Sequence, residues 1–148
     1  MENNLIFTRF CVLLSNDFQR EYYRMKKKRF GIVIKVKNLT SCKAFYRDVL
    51  GLGAPVLDSN FRVEFLFGDS FCLTLEKSPF DAVLPPPSGR IAWLFDADAE
   101  TIRNRLDVYG YEVPNLPETE KKGEFFCRFA DPEGNPFYVV SGKDPSNI

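Results

Sequence analysis

The 148-residue chain contains no histidine, and that absence narrows its chemistry more than any residue present. It removes the commonest general base near neutral pH and the commonest transition-metal ligand. Every Ser-His and Cys-His nucleophile arrangement goes with it. Cys11, Cys42, Cys72 and Cys127 lie in apolar segments without CxxC spacing. They read as small buried hydrophobes in a reducing compartment, not as a disulfide frame or a zinc site. Asp131, Glu133 and Asn135 could be mistaken for a metal loop, but the calcium spacing with its terminal bidentate Glu is missing, and turn chemistry accounts for all three. Two groups remain. Arg90 could hold a carboxylate or phosphate by paired charge-assisted hydrogen bonds in a low-dielectric cleft. Its other readings are an ion pair with Glu64 or Glu76, or a solvated strand end. Tyr138 could orient a ligand, serve as an acid, or fill its position inertly.

The elements that must position these groups follow from apolar periodicity. Ile32, Ile34 and Val36 alternate with Gly31, Val33 and Lys35 as in a strand whose faces meet different surroundings. Cys42, Phe45, Tyr46, Val49 and Leu50 form one stripe of a helix, and Gly51 supplies its stop. A short strand over residues 54–57 is expected, then strands over 61–67 and 71–76 around a turn at Gly68-Asp69. Pro79 and Pro85-Pro86-Pro87 make residues 79–88 a linker. Residues 90–95 read as another strand, Asp96 or Asp98 as an N-cap, and Ala99, Ile102, Leu106 and Tyr109 as the stripe of a second helix stopped by Gly110. Trp93 is expected under that second helix. Residues 124–129 and 137–140 close the chain as strands around the Asp131-Pro132-Glu133-Gly134-Asn135 turn.

Gly31 to Gly51 and Arg90 to Gly110 repeat at an offset of 59 residues. This is one βαβββ unit used twice. The α+β architecture expected is two such modules, about 30–78 and 89–142, whose curved mixed sheet encloses a cleft with the helices outside. Residues 1–29 form an N-terminal extension without an assigned role, and 30–148 a single domain. Hydrophobic residues at 45% support one packed core, while twenty basic and twenty acidic residues give no global case for nucleic acid. The apolar run 10–14 is too short for a bilayer, so no membrane role and a cytoplasmic location are expected. With 15 Phe, 6 Tyr and one Trp, aromatic rings must serve both core and cleft.

Val36-Lys37-Asn38-Leu39 running into Phe45-Tyr46-Arg47-Asp48-Val49-Leu50-Gly51, with Phe129-Ala130-Asp131-Pro132-Glu133-Gly134-Asn135, resembles the vicinal oxygen chelate superfamily of glyoxalases, bleomycin-resistance proteins and extradiol dioxygenases. The resemblance covers 30 to about 141. It implies four inward metal-ligand positions, which here hold Gly31, Thr74, Arg90 and Tyr138. That set departs from the usual His, Gln and Glu, and favours the metal-free, bleomycin-resistance-like branch. The function expected is binding of a small anionic or aromatic molecule in the inter-module cleft of a homodimer, with no metal or cofactor. Arg90, Tyr138, Thr74, Val33 and Phe65 are the expected ligand contacts. The alternative is a glyoxalase- or dioxygenase-type lyase or isomerase of the same superfamily, its catalytic residues unknown.

Overall fold

The computed structural model describes residues 30–68, 70–79, 81–115, 119–121 and 124–142. The N-terminal extension with Cys11, and Asp69 of the expected hairpin turn, lie outside them. The first module comprises β1 (Phe30–Val36), α1 (Leu39–Ala44), which runs on as a π-turn over Phe45–Val49, β2 (Leu57–Asp58), β3 (Arg62–Phe67) and β4 (Phe71–Lys77). A 3₁₀ turn at Pro87–Gly89 ends the linker. The second module comprises β5 (Trp93–Asp96), α2 (Ala99–Val108), β6 (Thr119–Lys121), β7 (Glu124–Ala130) and β8 (Pro136–Gly142). The strand orders, β1-β4-β3-β2 and β5-β8-β7-β6, are the same order twice. Each sheet is mixed. β1 runs parallel to β4 with Val33 opposite Thr74, and β5 runs parallel to β8 with Leu94 opposite Tyr138.

Local chemistry explains the helices. Asn38 Oδ1 accepts from Ser41 N–H at 3.0 Å, and Asp98 Oδ2 accepts from Thr101 N–H at 3.0 Å, so each helix starts on a side-chain cap. Each ends where Gly51 or Gly110 turns to a φ of 71° or 76°, a conformation that costs a side-chain-bearing residue about 1–2 kcal/mol. All five residues of the first stripe are buried, as are Ala99, Ile102 and Leu106 of the second. Tyr109 is not part of that stripe. It forms the C-cap and stands 54% exposed.

Two boundaries also move. The strand expected over 54–57 is only Leu57–Asp58. The strand expected from Arg90 begins at Trp93, because one step earlier the ladder would set Ala92 opposite Pro136, which has no N–H to donate.

The helix-bearing faces of the two sheets meet in one core. Tyr46 lies 6.3 Å from Phe65 in its own module and 6.2 Å from Trp93 in the other, centroid to centroid. Phe45 reaches Phe137 at 6.2 Å, and Phe67 reaches Trp93 at 6.0 Å. Trp93 therefore packs across the module boundary against the first helix and the first sheet, rather than simply under the second helix. Aromatic rings fill the middle of the boundary between the modules. The opposite sheet faces are open, with Val33 54% and Leu94 65% exposed.

A carboxylate ties the modules together. Glu133, on the β7–β8 turn, accepts from the N–H groups of Lys37 (2.7 Å) and Asn38 (2.9 Å) and from the Cys42 thiol (3.3 Å). These are donors at the start of α1 that the helix itself leaves unpaired. Replacing Glu133 by Ala is expected to lower unfolding stability by about 1–2 kcal/mol, read from the urea midpoint, with Glu133→Gln recovering part of the loss.

Candidate functional site

The residues chosen from the sequence do not gather at one point. Arg90 and Val33 line a single cavity of about 500 Å³, together with Gly31, Leu84, Pro85 and Asn135. Thr74 is next to Val33 in the ladder but is itself buried. Tyr138 is half-buried in the second sheet, on the row that runs Leu94, Tyr138, Arg128. Phe65 points the other way, into the core, where it is 1% exposed beneath Tyr46. β3 alternates, and its odd-numbered residues Val63 and Phe65 face the helix.

Arg90 stands just past the 3₁₀ turn, so its side chain folds back on the loops. Its Nε donates to the Pro85 carbonyl at 2.8 Å, and its Nη1 to the Glu133 carbonyl at 2.5 Å and to Asn135 Oδ1 at 3.0 Å. All three acceptors are neutral. Neither glutamate expected as a partner reaches it, since Glu76 pairs with Lys35 and Glu64 with Arg62. Hydrogen bonds thus fix the guanidinium, Nη2 takes no part in them, and Arg90 enters none of the ion pairs among the described residues. The proline run marks residues 79–88 as a linker, yet Pro85 is also a partner of Arg90 and Leu84 a wall of the cavity. The proline run was the signal that this segment is stiff enough for that work.

The turn behind Arg90 centres on Asp131. Its Oδ1 accepts from the N–H groups of Glu133 and Asn135, each at 2.9 Å. Its Oδ2 accepts from Asn135 Nδ2 at 2.7 Å and from the Tyr46 hydroxyl at 3.0 Å. Burial pushes the Asp131 carboxyl above its usual range, against the opposing pull of these donors. Burial, then the neighbouring Asp131, also raises both the Cys42 thiol and the Tyr46 phenol. Both stay protonated near neutrality, and neither is an activated nucleophile.

The four positions that the resemblance assigns to a metal do not suit one. Gly31 offers no donor, and a Cβ there would come within 2.5 Å of the Cys72 carbonyl oxygen. Arg90 brings a cation held by three hydrogen bonds. Among the described residues no group of three or more His, Cys, Asp or Glu side chains is placed to hold a metal ion, and no helix is long and apolar enough to cross a membrane.

A twice-used βαβββ module and a cavity at the junction of β1 with the second module's leading loop define a class of paired-module proteins. The model of the Glyoxalase/Bleomycin resistance protein/Dioxygenase superfamily matches residues 30–139, and the chain belongs to that superfamily. Among solved structures it is similar to lactoylglutathione lyase from Agrobacterium tumefaciens, with 28% identity over 77% of this chain and 92% of that one and a TM-score of 0.58. A glyoxalase/bleomycin resistance protein from Catenulispora acidiphila shares 17% identity over 77% and 97% of the two chains, with a TM-score of 0.59. A glyoxalase/dioxygenase from Nostoc punctiforme shares 15% over 80% and 92%, with a TM-score of 0.60. None of the curated proteins compared matches the chain.

Asp131 gives the site a pH signature. Because its folded-state pKa lies above the ordinary 3.8, its contribution to stability is fully present below that value and is lost as pH rises through the raised one. The stability of the wild type minus that of Asp131→Asn, from urea unfolding at a series of pH values, is therefore expected to grow on acidification toward 3.8. A difference that shrinks instead would mean that the four donors outweigh burial.

Proposed function

We propose that this protein binds a small anionic molecule with an apolar or aromatic portion at the Arg90 cavity, without a metal and without transforming it. The observation that carries this reading is the guanidinium held by Pro85, Glu133 and Asn135 through neutral oxygens, in none of the ion pairs among the described residues. A buried or half-buried cation without a counterion attracts one. Val33, Leu84 and Ile91 supply apolar walls suited to the rest of such a ligand. One positive charge, with the N–H groups of Nη2 left over after these bonds, favours a carboxylate or an enolate oxygen. Thr74 and Tyr138 join the site in this reading through the open sheet faces.

Those faces give the reading its second half. Val33, Leu94 and Ile91 are exposed at 54%, 65% and 83%, on surfaces that the single chain leaves uncovered. We infer a homodimer in which the first sheet of one protomer faces the second sheet of its partner, bringing the Val33–Thr74 row toward the Leu94–Tyr138 row and enclosing the ligand. The metal-dependent alternative, a lyase or dioxygenase of the superfamily, draws support from the lactoylglutathione lyase likeness and none from the donor set.

Three measurements test this. Thermal-shift screening of aromatic carboxylates is expected to give ligands whose affinity falls at least about tenfold in Arg90→Met with the fold intact. Unchanged affinity would end the proposal. Light scattering across a dilution series is expected to show a dimer, and a monomer throughout would remove the enclosed site. Elemental analysis is expected to find far less than one equivalent of transition metal, and a stoichiometric content would restore the enzyme.

A further inference from the structure

A second cavity lies at the far end of the first module, where the parallel strands β1 and β4 both finish. It encloses about 890 Å³ between the β1–α1 connection, the β2–β3 turn and the end of β4. The carboxyl ends of parallel strands are where α/β units commonly place ligands, because loops and helix starts converge there. Three ammonium groups line it, from Lys37, Lys43 and Lys77, against one carboxylate, Asp58. Lys43 and Asp58 cancel, with Nζ 3.2 and 3.1 Å from the two carboxylate oxygens. Lys37 and Lys77 enter none of the ion pairs among the described residues. Two lysines therefore line the cavity outside any ion pair among the described residues.

Part of the helix start is already occupied, since Lys37 and Asn38 donate their N–H groups to Glu133, and Ser41 donates to Asn38. An anion here meets the two lysines first, with the polar groups of Thr40 and Asn60 beside them. Phe61, 73% exposed, lines the same cavity. An aromatic face left open beside two unpaired lysines fits a ligand with a flat apolar part and a doubly charged head.

We propose that this cavity is a second ligand site, selective for phosphate monoesters that carry an aromatic or similarly flat group, with Lys37 and Lys77 on the dianion and Phe61 against the ring. Lysine is a compact point charge that binds phosphate, and two of them match the two charges of a monoester dianion. The two cavities thus differ in the charge they match, one unit at Arg90 and two here.

Phenyl phosphate is the probe, titrated calorimetrically into the full chain at low salt and about pH 8, where the ester is a dianion. About one equivalent is expected to bind saturably, with an affinity that falls as salt rises. The double substitution Lys37→Met, Lys77→Met is expected to weaken it at least about tenfold, while Arg90→Met leaves it unchanged. Phe61→Ala is expected to weaken phenyl phosphate and to spare inorganic phosphate, which keeps the proposal open to refutation should the double variant not fold. No saturable binding up to about 10 mM, wild-type affinity in the double variant, or loss of binding in Arg90→Met instead would overturn it.

Discussion

The four hydrogen bonds to the Asp131 carboxylate are the constraint on which the rest of the structure depends. A buried carboxylate is tolerated only when its oxygens are filled, and here both are. Two donors come from the turn's own backbone, one from Asn135 and one from Tyr46 in the other module. The same ring of contacts aims Glu133 at the start of α1 and leaves its carbonyl, with Asn135 Oδ1, to receive Arg90. The relative position of the modules and the placement of Arg90 are consequently a single problem. A change that loosened Asp131 would be felt at the Arg90 cavity through Asn135, which lines it and bonds both side chains.

Why the two modules share a core follows from their size. One short helix cannot cover a four-stranded sheet, so Tyr46 is used twice, against Phe65 of its own sheet and Trp93 of the other, while Phe45 reaches Phe137. Aromatic rings suit this role because one side chain can present apolar surface in two directions. The arrangement buries both helix-bearing faces and leaves both opposite faces bare. Val33 and Leu94 are exposed for that reason, not because their strands are peripheral.

Much of the scaffold was legible because it is local. The stripe from Cys42 to Leu50, the glycines at 51 and 110 and the 59-residue repeat all rest on spacings of a few residues or on self-similarity. What failed to show depends on long separations or on a neighbour's backbone. Phe65 looks the same in sequence whether it faces a ligand or a helix, and only the register of β3 decides. Tyr109 has the right spacing for the helix stripe and loses its place because the helix has already turned out at its cap. Glu133 is 96 residues from Lys37, so nothing local could mark it as that helix's cap. Arg90 was recognised as a candidate, but its strand was not a strand, since Pro136 stops the ladder before it arrives.

That early end of β5 explains how the repeat can be exact in scaffold and broken in chemistry. Gly31 and Arg90 are equivalent positions, yet Gly31 sits within the β1–β4 ladder against the Cys72 carbonyl, with no room for a Cβ. A side chain there would have to part the edge strand β1 from its neighbour β4. Arg90 has left the ladder, and the freedom gained lets its long side chain turn back to Pro85 and the Asp131 turn. The pair therefore cannot converge on a point between the sheets as two matched ligands would. One member is space and the other is charge. Space beside a fixed cation is what a cavity needs in order to take an anion, and the symmetry of the modules had to be broken at this one level to make it.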